Sequence, residues 1–267
     1  MILAADNLQI TNPYIERAVQ DADPEPVREM ALRCEVAGAD VIDINSGPLS
    51  REPESKMAFL VNTVQEVSNL PIILDTANPR ALEAGLKANR KKAVINGFSL
   101  APEKLAHILP LAKKYKTEII GYLLFPNGHV PQDGEERLNI AVELLNRCSE
   151  AGVDPNSLII DPVLVPISWE KGNVQAMEVL SVIKFLPELL GFDVRTIIGL
   201  SNLTTGGGGD MKKKLLLERT YLSMLASSGL SIVLLNILHS QTVETARACR
   251  ALTDGKIFAW EEMQTVK

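Results

Sequence analysis

The sequence predicts a single (β/α)8 barrel over residues 1–267, on three observations. Short Val/Ile/Leu runs alternate eight times with amphipathic segments. Polar residues recur at the C-terminal ends of several of those runs: Asp43-Ile44-Asn45, Asp75, Asn96, Asp161 and Gly199-Leu200-Ser201-Asn202. The chain length of 267 residues suits one barrel, a fold that commonly takes about 250. Eight strand–helix pairs with right-handed crossovers also fit a doubly wound sheet. An open sheet gathers its ligand at one switch point, however, whereas here the polar signals follow strands 2, 3, 4, 6 and 7. That distribution favours closure, because only a closed barrel brings so many strand tips to one point.

The strand candidates, in order, are Met1–Ala5, Ala39–Ile44, Pro71–Leu74, Ala93–Asn96, Glu118–Leu123, Leu158–Ile160, Thr196–Gly199 and Ile232–Leu235. Helices fill the intervals. Asp23-Pro24-Glu25-Pro26 opens one with a capping residue and an early proline, and Asp133-Gly134-Glu135-Glu136 opens another with acids near the positive end of its dipole. Ala37-Gly38 and Ala151-Gly152 end the helices before strands 2 and 6, with glycine as the left-handed stop. Gly206–Gly209 is too short for a linker and belongs to the loop after strand 7.

Hydrophobic residues make up 46% of the chain and aromatics only 4%, so the core must be aliphatic, as parallel strands covered by helices require. A net charge of −6 without a long basic stretch argues against nucleic acid as the main partner. Cys34, Cys148 and Cys249 fall in helical segments without CxxC spacing, which offers neither a disulfide framework nor a zinc site; each reads as a small buried apolar residue. No basic-then-apolar leader and no run of about 18 apolar residues occur, so no membrane association and a cytoplasmic location are expected.

Taken singly, an Asp or Asn at a strand end reads as a helix cap or turn former. Five tips together do not, because caps have no reason to accompany five separate strands. Convergent carboxylates and carboxamides without His or Cys suit a flat, nitrogen-rich ring better than a metal. Asp161 can accept two parallel hydrogen bonds from an N–H/NH2 edge such as the pyrimidinone half of a pterin presents. Asn96 offers a donor and an acceptor to the same ring, and Asp75 can take a further ring N–H. Asn202 can donate its amide to a ring nitrogen, a role closed to an ionised carboxylate.

The chain resembles the pterin-binding TIM barrels, and within them the methyltetrahydrofolate:corrinoid methyltransferases. The resemblance runs over nearly the whole chain: Gly38-Ala39-Asp40-Val41-Ile42-Asp43-Ile44-Asn45-Ser46-Gly47-Pro48, Gln65-Glu66-Val67-Ser68-Asn69-Leu70, Leu74-Asp75, Ala81-Leu82-Glu83-Ala84-Gly85-Leu86-Lys87, Ile95-Asn96, Ile160-Asp161-Pro162 and Gly199-Leu200-Ser201-Asn202. It implies that Asp75, Asn96 and Asp161, with Asp43 and Asn45, hold the pterin, and that Asn202 lies beside N5, the nitrogen carrying the methyl group. It further implies tetrahydrofolate and 5-methyltetrahydrofolate as substrates, a corrinoid carried by a separate partner protein, and a homodimer. No metal bound by the barrel itself is expected, and the DxHxxG pattern of base-off cobalamin binding is absent from the sequence.

Dihydropteroate synthase is the rival within the fold, and a folate-binding protein without turnover is the non-enzymatic alternative. Against the synthase, Asp161-Pro162-Val163-Leu164, Gly199-Leu200-Ser201-Asn202 and Asn236-Ile237-Leu238-His239 lack the glycine-rich segment, lysine and Ser-x-Arg typical of its diphosphate site. The chain also departs from the methyltransferases. Ala5-Asp6-Asn7-Leu8-Gln9 stands where they often read Gly-Glu-Arg-Ile-Asn, and Asn236 and His239 stand where they can carry acids. These changes leave the pterin residues standing and bear on partner identity.

Asp6, Trp169, Lys212 and His239 are candidate loop or partner contacts. Trp169 reads either as an exposed docking anchor or as buried among helix side chains. Lys212-Lys213-Lys214 opens the helix after strand 7; it reads first as a solvated turn, and otherwise as a contact for the folate glutamate tail or an acidic partner. His107 reads as helix surface, His129 as a loop residue, and His239 as structural although it lies nearest the mouth.

Overall fold

The computed structural model describes residues 1–47, 49, 51–255 and 260; Pro48, the last residue of the motif at 38–48, lies outside the described residues. Eight parallel strands close in chain order: β1 (Ile2–Gln9), β2 (Val41–Asn45), β3 (Ile72–Asp75), β4 (Ala93–Phe98), β5 (Glu118–Tyr122), β6 (Leu158–Asp161), β7 (Arg195–Gly199) and β8 (Ile232–Leu235). β8 returns to β1 through pairs such as Ala4–Leu234, so no strand edge is left open. The expected (β/α)8 barrel is the observed fold.

The first crossover holds two helices, α1 (Pro13–Asp21) and α2 (Glu25–Val36); the others are α3 (Pro53–Val67), α4 (Pro79–Ala88), α5 (Pro102–Tyr115), α6 (Gly134–Ala151), α7 (Gly172–Leu190) and α8 (Met211–Ser227), with α9 (Ser240–Thr253) after the last strand. Pro13, Pro53, Pro79 and Pro102 each take the first helical position, where a missing N–H costs nothing. Asp133 caps α6 by accepting from the Glu136 N–H at 2.8 Å, and Asp23 accepts from the Glu25 N–H at 3.1 Å. Gly38 and Gly152 carry φ of +92° and +72° after α2 and α6, as their sequence positions required.

Two apolar layers hold the barrel. The larger lies between strands and helices. The smaller fills the lumen with Ala4, Ile73, Val94, Ile120, Ile159, Ile197 and Ile232, joined by Ile2, Val41, Tyr122 and Leu234. Successive residues of a strand face opposite sides, so residues two further along face the lumen again. Stepping by two from Ala4, Val41, Ile73, Val94 and Ile159 reaches Asp6, Asp43, Asp75, Asn96 and Asp161. The aliphatic plug is therefore the floor on which the polar groups stand. Cys34, Cys148 and Cys249 are free and buried in α2, α6 and α9.

The strand limits correct the sequence reading at several ends. β1 runs on to Gln9 instead of stopping at Ala5, with an irregularity between Ala5 and Leu8 in its pairing with β2. The polar pair Asp6-Asn7 broke the apolar run without ending the backbone ladder, because Leu8 and Gln9 still pair with Ile44 and Asn45. Asn45, Asp75 and Asp161 are likewise the last residues of their strands, so the ladder orients their side chains.

At the β4–β5 seam, a Cβ added to Gly97 would lie 2.4 Å from the Ile120 carbonyl oxygen. Gly97→Ala is expected to push the two strands apart and to cost at least about 1–3 kcal/mol, the usual range for overpacking. Urea unfolding with the midpoint compared to wild type checks it.

Candidate functional site

One cavity of about 260 Å³ opens at the C-terminal mouth of the barrel. Asp6, Asp43, Asn45, Asp75, Asn96, Asp161 and Asn202 all line it, with Ile197 and Leu234 from the apolar plug. Seven residues singled out in the sequence therefore meet in one space. Strand register sets their order: Asn45 pairs with Asp75 and Asp75 with Asn96.

Hydrogen bonds fix which groups remain for a ligand. Asn45 donates its amide to Asp75 at 2.7 Å and accepts the Gly47 N–H at 3.1 Å. Asp75 is thereby oriented with one oxygen engaged. Tyr122, on β5, donates its hydroxyl to the Asn96 carboxamide oxygen, which directs the Asn96 amide elsewhere. Asp161 accepts the Val163 N–H at 2.8 Å. Asp43 is only 3% exposed, and its Oδ1 has no hydrogen-bond partner. Asn202 sits on the short 3-10 turn Leu200–Thr204, with its carboxamide directly over Gly199, where an added Cβ would come within 3.1 Å of Nδ2.

Burial dominates the electrostatics. It lifts Asp75 to about 6 against the pull of Lys104, and Asp161 to about 7 against the Val163 N–H and Arg137. Asp43 is raised well above the carboxylate range by burial, then by the Asp75 and Asp6 charges, with Asn96 opposing. Asp6 rises to about 6 through burial and the neighbouring Glu218 charge. The Tyr122 phenol is held well above its ordinary value by burial and by Asp75, Asp161 and Asp43. Several acids thus share a space with little solvent, a condition that an N–H-rich ligand relieves.

Sequence reasoning missed Arg137, Tyr122, Asn7 and Glu218. Arg137, on α6, is fully buried; its guanidinium donates to the Pro162 carbonyl, to the Val163 carbonyl at 3.0 Å and to Gln175 at 3.3 Å. Val163 is held at φ +62°, an uncommon conformation for a β-branched residue, and its N–H is the one that Asp161 accepts. An arginine in an amphipathic helix reads as surface, so no signal marked it. Tyr122 was findable: it lies two residues beyond Ile120, at the same phase as the other tips. Asn7 donates to Asn236 at 2.6 Å and accepts the Ile237 N–H at 2.9 Å, tying β1 to the loop after β8.

The proposed peripheral contacts divide. Asp6 lines the first cavity and also a second one of about 270 Å³, which His239 and Lys214 line as well. Lys212 is exposed and lines neither cavity. Trp169 is 58% exposed in the loop after β6, away from both linings. His107 and His129 are exposed. Among the described residues, no group of three His, Cys, Asp or Glu is arranged to hold a metal ion, and no helix is long and apolar enough to cross a membrane.

A sequence-family model described as pterin binding enzyme matches residues 12–236. The chain is 24% identical over 213 residues to a methylcorrinoid:tetrahydrofolate methyltransferase of Eubacterium limosum, covering 77% of this chain and 75% of that enzyme. It is 26% identical over 177 residues to a methionine synthase of Mycobacterium tuberculosis, covering 63% of this chain and 15% of that longer enzyme. Among solved structures, a Xanthomonas albilineans dihydropteroate synthase with 4-aminobenzoic acid superposes with a TM-score of 0.69 at 18% identity, covering 96% of this chain and 93% of that one. At that identity the structural likeness speaks to the fold.

An acid whose pKa is raised by folding contributes stability below its unfolded value and loses it as pH climbs through the folded value. For Asp161 the window runs from its ordinary 3.8 up to about 7. The ligand-free Asp161→Asn protein is therefore expected to match wild type near pH 4 and to exceed it at pH 8 by about 2 kcal/mol. That is short of the ~4 kcal/mol the full rise corresponds to, because the residue keeps some solvent contact. Urea titrations at both pH values check it; an unchanged difference would contradict the burial effect.

Proposed function

The chain belongs to the pterin-binding enzyme family, and we propose that within it this protein exchanges a methyl group between N5 of tetrahydrofolate and a corrinoid carried by a partner protein. The observation that carries the reading is the pairing of an acid-lined ring site with a carboxamide free to donate. Among the described residues, Asn202 makes no side-chain hydrogen bond, yet it stands at the mouth of the cavity lined by Asp75, Asn96 and Asp161. The similarity to the Eubacterium limosum methyltransferase supports the same reaction class.

In the proposed site Asp161 accepts the N–H/NH2 edge of the pterin, Asn96 meets the mixed edge, and Asp75 takes a further ring N–H. Asp43 and Asn45 complete the wall, Asn45 by holding Asp75 at 2.7 Å. Bound donors favour the ionised form of each acid, so binding opposes the upward shifts that burial imposes. The corrinoid supplies a cobalt centre that gives up or takes the methyl group. When tetrahydrofolate is methylated, the N5 lone pair forms the new N–C bond, the cobalt–carbon electron pair stays with cobalt, and the N5 proton leaves. In the opposite direction the electron pair of the reduced cobalt would form the cobalt–carbon bond, while N5, a poor leaving group, keeps the pair of the broken N–C bond and takes up a proton from solvent. Asn202 donates a hydrogen bond there that strengthens as charge develops on nitrogen.

A diphosphate-releasing synthase is the less supported reading. The second cavity carries two carboxyl side chains, Asp6 and Glu218, against Lys214, and that balance repels a diphosphate. A passive folate binder leaves the free Asn202 donor without a use.

Asn202→Ala is expected to reduce methyl exchange between 5-methyltetrahydrofolate and cob(I)alamin by about 100- to 1000-fold, the scale of losing one transition-state donor. Folate affinity should change by less than about threefold, since the ground state gains little from that contact. Spectroscopic turnover and a folate titration on the same variant test this. Unchanged turnover, or a loss confined to binding, would remove Asn202 from the reaction.

A further inference from the structure

The second cavity shares Asp6, Gln9 and Ser201 with the first, so the two spaces are continuous at the mouth. The turn Leu200–Thr204 divides them: Asn202 lines the first and Thr204 the second. Whatever fills the second space therefore lies beside the segment that carries Asn202.

The lining is built from buried polar groups. Glu218 is 9% exposed, and one carboxylate oxygen accepts the Thr204 hydroxyl. Thr242 is 2% exposed, and its hydroxyl has no hydrogen-bond partner in the protein. A buried hydroxyl left unpaired is a cost that an acceptor on a ligand in this cavity would remove. Lys214 directs an N–H to the Gly206 carbonyl at 3.2 Å. Acceptors on Glu218 and Asp6 stand with a spare hydroxyl on Thr242, and together they match a neutral group that both donates and accepts. A free carboxylate or phosphate meets two acids here and is disfavoured.

We infer that this cavity receives a carboxamide arm of the corrin ring, an assignment that rests on the methyl-transfer reading above. A volume of about 270 Å³ excludes the corrin macrocycle and admits a short arm with water. Corrins carry primary acetamides on the face that bears the methyl group. The amide N–H2 of such an arm donates to Glu218 and Asp6, and its carbonyl accepts from Thr242. Recognition of the arm holds the ring over N5 and does not depend on the partner protein.

The test compares binding of methylcobalamin with binding of methylcobyrinate heptamethyl ester, in which every arm lacks N–H groups, by isothermal titration in the absence of folate. Wild type is expected to prefer methylcobalamin by about tenfold, the scale of one hydrogen bond to a charged group. Glu218→Gln and Thr242→Val should each reduce that preference to less than about threefold, leaving methyltetrahydrofolate affinity unchanged. Thr242→Val should also raise Tm, because valine replaces an unpaired hydroxyl at nearly equal volume, so lost discrimination could not be ascribed to misfolding. No preference in wild type, an undiminished preference in both variants, or a parallel loss of folate affinity would overturn the inference. Failure of wild type to bind methyltetrahydrofolate would sink the methyl-transfer reading separately, since corrin discrimination is read without folate.

Discussion

Crowding of carboxyl groups into a poorly solvated barrel mouth is the constraint on which the rest of this site depends. Asp43, Asp75 and Asp161 stand on an aliphatic plug, and each is pushed up by burial. Buried acids in such numbers oppose folding unless they stay protonated or meet donors. On the proposed reading, a ligand rich in N–H groups relieves this crowding, and its binding is coupled to ionisation.

Orientation comes from neighbours more than from the acids themselves. Asn45 fixes Asp75, and Tyr122 orients the Asn96 carboxamide by donating to its oxygen. Arg137 pins the Pro162 and Val163 carbonyls from behind the strands, and the turn so formed supplies the N–H that holds Asp161. Asn7 fastens β1 to the loop after β8, closing the barrel on the side where the second cavity lies. Each contact removes freedom before a ligand arrives, which is what a site acting by positioning requires.

Much of this was legible in the sequence, for physical reasons. A strand facing an apolar plug must be aliphatic until it reaches the mouth and can be polar only there. Asp75 after Ile73 and Asp161 after Ile159 therefore announce both the fold and the lining of the cavity. Asp6 was harder, since two adjacent polar residues hid the continuation of β1 that the backbone ladder preserves. Arg137 and Glu218 were invisible. Both lie on helices, where a charged residue ordinarily faces water, and only the tertiary packing turns them inward. Trp169 and Lys212 drew notice by residue type, and the structure leaves both outside the cavity linings.

The most direct measurement is calorimetric binding of tetrahydrofolate at pH 6.5 in buffers of differing ionisation enthalpy, which counts the protons exchanged. With Asp75 and Asp161 shifted to about 6 and about 7, both carry protons part of the time in the free protein. Ring donors favour the ionised acids, so binding should release protons, with the release shrinking at pH 8 and falling in Asp161→Asn. Tight binding with no proton release, or with proton uptake, would contradict the claim that buried acids receive the ring.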